Sequence, residues 1–120
     1  MPIDYPALLV VRPDWTVADV YLMPEDDPLA EVHGWLDCLL PNRIGLTSRL
    51  AMWGVGDGPQ HCLPWNALAA GLAYRYGHQP RCYHGAFVVC GIDPDDGPAG
   101  LTPSQMRGLH AQLSDITKSL

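Results

Sequence analysis

The sequence predicts a single α+β domain spanning residues 1–120, in the order β-β-α-β-β-α-β-α, with a mixed or antiparallel sheet covered by helices. Three observations carry this expectation. Two runs, Ala7–Val11 and Gly85–Gly91, are apolar at nearly every position, the signature of strands buried on both faces. Three segments repeat apolar residues at helical spacing behind capping residues. Finally, 12 glycines and 12 prolines divide a chain of 120 residues into short elements separated by firm turns.

In chain order, Ala7–Arg12 reads as a buried strand ending at Pro13, and Pro13-Asp14-Trp15 as a turn. Thr16–Met23 alternates, with Val17, Asp19 and Tyr21 on one side and Ala18, Val20 and Leu22 on the other. It suits a second strand paired to the first in a hairpin. Asp27 and Pro28 open a helix as N-cap and first helical residue, and Leu29, Val32, Leu36, Leu39 and Leu40 form its apolar stripe up to Pro41. Strands are expected at Arg43–Thr47 and Leu50–Val55, the second closed by Gly54-Val55-Gly56-Asp57-Gly58-Pro59. That glycine-rich turn lacks the lysine and hydroxyl of a phosphate loop.

A second helix, Ala67–Tyr76, is capped by Asn66 and stopped by Gly77. Its Ala69, Ala70, Gly71 and Ala73 suit close packing on a sheet, with Leu68, Leu72 and Tyr76 as anchors. The strand Gly85–Gly91 and a turn over Asp93–Gly100 follow. Thr102-Pro103-Ser104-Gln105 then begins the last helix with a capping box, and Met106, Leu109, Leu113, Ile116 and Leu120 give its apolar face.

Composition narrows the function classes. A net charge of −6 with scattered arginines argues against binding nucleic acid by neutralising phosphates. There is no charged-then-apolar leader at Met1-Pro2-Ile3-Asp4 and no apolar stretch near the roughly 18 residues of a membrane span, so a cytoplasmic setting is expected. Cys38, Cys62, Cys82 and Cys90 are then expected as free thiols, and Cys90, inside an apolar strand, as a small hydrophobe.

Chemistry has one suggestive cluster, His61-Cys62 with His78, Cys82 and His84. These are natural zinc ligands, and His78-x3-Cys82-x-His84 could wrap one ion. The spacing matches no structural-zinc pattern, so capping histidines and buried thiols are the preferred reading and no cofactor is expected. No serine sits in a nucleophile elbow. Asp93-x-Asp95-Asp96-Gly97 lacks the further ligands of a calcium loop and reads as a turn.

The four tryptophans, Trp15, Trp35, Trp53 and Trp65, are many for this length. Trp15 in a turn and Trp65 before a helix cap are the least obliged to be buried, and exposed together they would mark a binding surface. The candidate binding residues are therefore Trp15, Trp53, His61, Trp65 and His84.

Met52-Trp53, the Gly/Asp turn, Leu63-Pro64-Trp65-Asn66-Ala67-Leu68-Ala69 and Gly85–Gly91 together resemble a family of small uncharacterised phage, plasmid and bacterial proteins, known only as a domain of unknown function. The resemblance implies a mobile-element setting and supplies no site residues. The expected function is a non-enzymatic binding or accessory module acting through a protein partner, with oligomeric state open and no membrane or direct nucleic-acid contact. The alternatives are a small metal-binding protein or enzyme using His61, Cys62, His78, Cys82 and His84, or an acidic protein that blocks a nucleic-acid-binding partner.

Overall fold

Two strands without a polar side chain form the middle of the sheet. The computed structural model describes residues 6–37, 41–55, 63–78 and 83–119. Strand β1 (Ala7–Val11) is buried along its whole length, and β5 (Phe87–Ile92) at every residue but the last. Around them stand β2 (Val17–Tyr21), β4 (Leu50–Gly54) and β3 (Asn42–Gly45), in the order β2-β1-β5-β4-β3, with every pairing antiparallel. The three helices are α1 (Pro28–Leu36), α2 (Ala67–Arg75) and α3 (Pro103–Lys118). The order β-β-α-β-β-α-β-α is that expected from the sequence, and the sheet is the antiparallel of the two forms.

Burial on both faces explains the apolar runs. Ala7, Leu9, Val11, Met52, Phe87 and Val89 share one cluster with Leu68 and Leu72 of α2 and Leu109 and Leu113 of α3. Leu8, Val10, Val88 and Cys90 face the other way, against Val32 and Leu36 of α1. Two helices thus cover one face and the single nine-residue α1 the other. Ala18, Val20, Trp53, Val55 and Ala86 are only partly buried on the α1 face.

Four details differ from the sequence reading. Helix α1 stops at Leu36, because Asp37 takes a left-handed conformation (φ 50°) and returns its N–H to the His33 and Gly34 carbonyls. Leu39 and Leu40 lie outside the described residues, and Leu29 is exposed rather than part of the buried stripe. Strands β2 and β3 are shorter than expected, and β3 starts one residue early, at Asn42. Gly71 meets α3 rather than the sheet, since a Cβ there would come within 2.8 Å of Ile116.

The fourth difference lies in the segment expected to be only a turn, which holds a two-residue strand, β6 (Pro98–Ala99). Strand β1 pairs with β5 over Leu9–Val11 only; beyond this, Gly91 pairs with Ala99, and Ala7 with Leu101. Residues 98–101 therefore enter between the two central strands. The close approach selects glycine, as a Cβ on Gly100 would overlap Pro6 and one on Gly91 would press on the Gly100 carbonyl at 3.2 Å. Asp93 closes the preceding turn by accepting from the N–H groups of Asp95 and Gly97, both at 2.8 Å.

Asn66 joins these parts. Its Oδ1 accepts the Ala69 N–H at 3.0 Å and caps α2. Its Nδ2 donates to the carbonyls of Val11, 3.0 Å away at the end of β1, and of Gly85, 2.9 Å away on the approach to β5. The residue is fully buried. We expect Asn66→Ser to keep a capping oxygen but lose both donated hydrogen bonds, costing roughly 1–3 kcal/mol. Asn66→Ala should lose about 1 kcal/mol more with the cap. Urea unfolding followed by circular dichroism measures both; losses under about 1 kcal/mol would show that the side chain does not hold the three segments together.

Candidate functional site

The register brings the tryptophans to one end of the sheet. Val11 pairs with Val17 and Phe87, Phe87 with Gly54, and Gly54 with Asn42, so these residues mark a common level across β2, β1, β5, β4 and β3. Trp15 lies beyond it in the β1–β2 turn, Trp53 is the neighbour of Gly54, and Trp65 is bridged to His84 on the approach to β5. Trp35, near the end of α1, joins them through Arg12, whose guanidinium carbon lies 5.7 Å from the ring centroid. Trp15, Trp35 and Trp65 are 43%, 40% and 53% exposed. Three large apolar side chains left in water at one end are an unusual concentration for so small a chain.

Trp15 is held out by its backbone. The turn is closed by Arg12 N–H to the Thr16 carbonyl at 3.0 Å and Trp15 N–H to the Arg12 carbonyl at 3.2 Å. Trp15 itself has φ 71°, the left-handed region that a three-residue hairpin loop normally gives to glycine. A bulky residue there costs on the order of 1 kcal/mol or more. Asp14 braces the turn by accepting from the Thr16 N–H at 3.1 Å and hydroxyl at 2.5 Å, and these bonds hold its carboxyl below its ordinary value.

Trp65 and His84 form a close pair. Asn66 N–H bonds the Tyr83 carbonyl at 2.7 Å, and Gly85 N–H the Pro64 carbonyl at 2.8 Å. Those two bonds flank Trp65 and His84, leaving them as a non-hydrogen-bonded antiparallel pair, the geometry in which side chains stand closest. Tyr83 on the opposite side packs into the core against Phe87, ring centroids 5.7 Å apart. The His84 Nδ1 contacts the Leu63 carbonyl at 2.8 Å, which for the neutral ring makes Nδ1 the donor and leaves Nε2 as an acceptor.

Trp53 has a different place. It is half-buried on the α1 face, and its indole Nε1 is enclosed without a hydrogen-bond partner among the described residues. It lies close enough to the Cys90 thiol to oppose the effect of burial there. Burial dominates and pushes the Cys90 thiol up from 9.0 to about 11, with Trp53 and then the Ala99 backbone working against it. The thiol is a packed group rather than a nucleophile.

The structure does not bring the two described histidines of the proposed cluster together. His78 follows the C-terminus of α2, its Nε2 2.6 Å from the Gly45 carbonyl of β3. His84 stands beside Leu63 and Trp65 at the helix's other end. A nine-residue helix, roughly 13 Å long, separates them. His61, Cys62 and Cys82 lie outside the described residues. Among the described residues no three His, Cys, Asp or Glu side chains gather to hold a metal, and no helix is long and apolar enough to cross a membrane.

Trp35 and Arg12 were not singled out by sequence. The available signal was that Trp35 falls one position off the Val32–Leu36 stripe. No family model, curated protein or solved structure matches the chain.

Two measurements follow from these environments. In single-tryptophan variants, fluorescence retained at Trp65 should be redder and more readily quenched by acrylamide than that retained at Trp53; the reverse order would contradict the placement of both. The Cys90 pKa is raised in the folded protein, so the neutral thiol's contribution is complete below pH 9 and is lost as pH rises towards 11. Unfolding free energies should therefore fall by up to roughly 3 kcal/mol more in the wild type than in Cys90→Ala across that window.

Proposed function

We propose that this chain is a non-enzymatic binding module that engages a protein partner through the tryptophan end of its sheet, around Trp15, Trp65 and His84. The observation that carries this reading is Trp15, an exposed aromatic residue held at φ 71°. Glycine would fit that backbone better, so the strain is tolerated for what the side chain does in solvent. Trp65, more than half exposed beside an oriented His84, supplies a second anchor with a hydrogen-bond acceptor next to it. Tryptophan anchors of this kind dominate protein interfaces because each buries a large rigid surface on contact. The phage- or plasmid-like resemblance agrees with an accessory role of this sort.

The test uses the conflict between strain and surface. Trp15→Gly should unfold at the same denaturant concentration as the wild type or a higher one, gaining up to about 1 kcal/mol. It should nevertheless lose retention of partner protein in a pull-down from the native host, as should Trp65→Ala. Tyr74→Ala, an exposed aromatic in the last turn of α2, should retain it. Equal retention by all four proteins would defeat the assignment.

A further inference from the structure

The two edges of the sheet are finished differently. On β3, Leu46 N–H bonds the Leu50 carbonyl, so alternation places Asn42 and Ile44 towards β4 and leaves Arg43 and Gly45 pointing outward. His78 closes part of that edge by contacting the Gly45 carbonyl at 2.6 Å. On β2, Arg12 N–H bonds the Thr16 carbonyl and Leu22 N–H the Pro6 carbonyl at 2.8 Å. Thr16, Ala18, Val20 and Leu22 thus bond inward, and Val17, Asp19 and Tyr21 outward. No hydrogen bond among the described residues reaches the outward N–H and C=O groups of these three.

The side chains of β2 are equally unfinished. Val17 and Tyr21 on the α3 face, and Ala18 and Val20 on the α1 face, are all half-buried, so both faces of the edge offer apolar surface to a neighbouring strand. The central residue, Asp19, is the one charged side chain of the strand, and its carboxylate lies 2.7 Å from His110 Nε2 of α3. Exposed edges are normally blunted, because a row of unpaired backbone groups recruits another chain. A second copy centred on Asp19 would set two carboxylates opposite each other, in a chain whose net charge is already −6.

We infer that β2 receives an extended segment of a protein partner as an added strand, with apolar residues at alternate positions and a lysine or arginine opposite Asp19. Backbone hydrogen bonds would supply attachment and the charge would select the register. The inference deepens the proposed function, because this edge begins beside Trp15, and it rests on the partner being a protein.

The probe is a blocked peptide, acetyl-Thr-Val-Thr-Val-Lys-Val-Thr-Val-Thr-amide, titrated into the full chain. Binding should shift the amide resonances of Val17, Asp19 and Tyr21, and should weaken about tenfold or more when the peptide's lysine is replaced by glutamate. N-methylation of alternate peptide residues on the bonding edge should abolish it. Asp19→Lys should invert the preference in favour of the glutamate peptide, and Asp19→Asn should make the chain indifferent to that residue. Equal binding of both peptides to the wild type, or no shift at the β2 amides, overturns the inference. So does a concentration-dependent dimer that Asp19→Lys disrupts, since the edge would then belong to a second copy. If the peptide fails while Trp15→Gly and Trp65→Ala still lose the pulled-down protein, the edge alone is refuted and the tryptophan site stands.

Discussion

A single buried carboxamide governs how this chain is assembled. Asn66 has one acceptor and two donor hydrogens, and all are used on backbone atoms from three parts of the sequence: the first turn of α2, the end of β1 and the approach to β5. Losing the side chain removes two buried hydrogen bonds and the helix cap at once, each bond contributing about 0.5–1.5 kcal/mol. Aspartate could cap the helix but could not donate; serine could cap it but not reach both carbonyls. The requirement is for this side chain in this place, and Trp65 and His84 stand where they do because the bonds on either side of them are made.

From that point the distribution of exposed surface follows. Helices α2 and α3 close one face of the sheet with a continuous core. Helix α1, ended early by the left-handed Asp37, leaves part of the other face and both flanks of the strands less covered. Tyr74 in the last turn of α2 apart, the exposed aromatic residues among those described are the three tryptophans Trp15, Trp35 and Trp65. They collect where the β1–β2 turn, the end of α1 and the lead into α2 meet. The same region carries the backbone strain at Trp15. Exposed apolar surface and local strain each cost stability, and their coincidence is the physical basis of the proposal that a partner binds at this end.

The histidine–cysteine cluster shows how spacing misleads. His78 and His84 are six positions apart, near enough on paper to share an ion. The two rings nevertheless stand at opposite ends of α2, His78 beside β3 and His84 beside Leu63 and Trp65. Each ring instead meets a backbone carbonyl. Sequence distance bounds spatial distance only from above, and which bound applies depends on where the neighbouring helix lies.

The sequence by itself determined the element types and most of their positions, because those depend on local chemistry. Capping at Asp27, Asn66 and Thr102, the apolar runs of β1 and β5, and the alternation of β2 act within a few residues and are legible there. It also determined that Trp15 and Trp65 had little reason to be buried. Only the tertiary structure decided the rest. The two-residue β6 has no propensity of its own, and its Pro98 argues against a strand; it exists because Gly91 and Gly100 let the chain slip between β1 and β5. Helix α1 ends at the left-handed Asp37 rather than where its leucines stop. Trp35 becomes part of the exposed group through Arg12, and β2 becomes an edge of the described sheet, because strand order is settled by packing between distant segments, which no local pattern encodes.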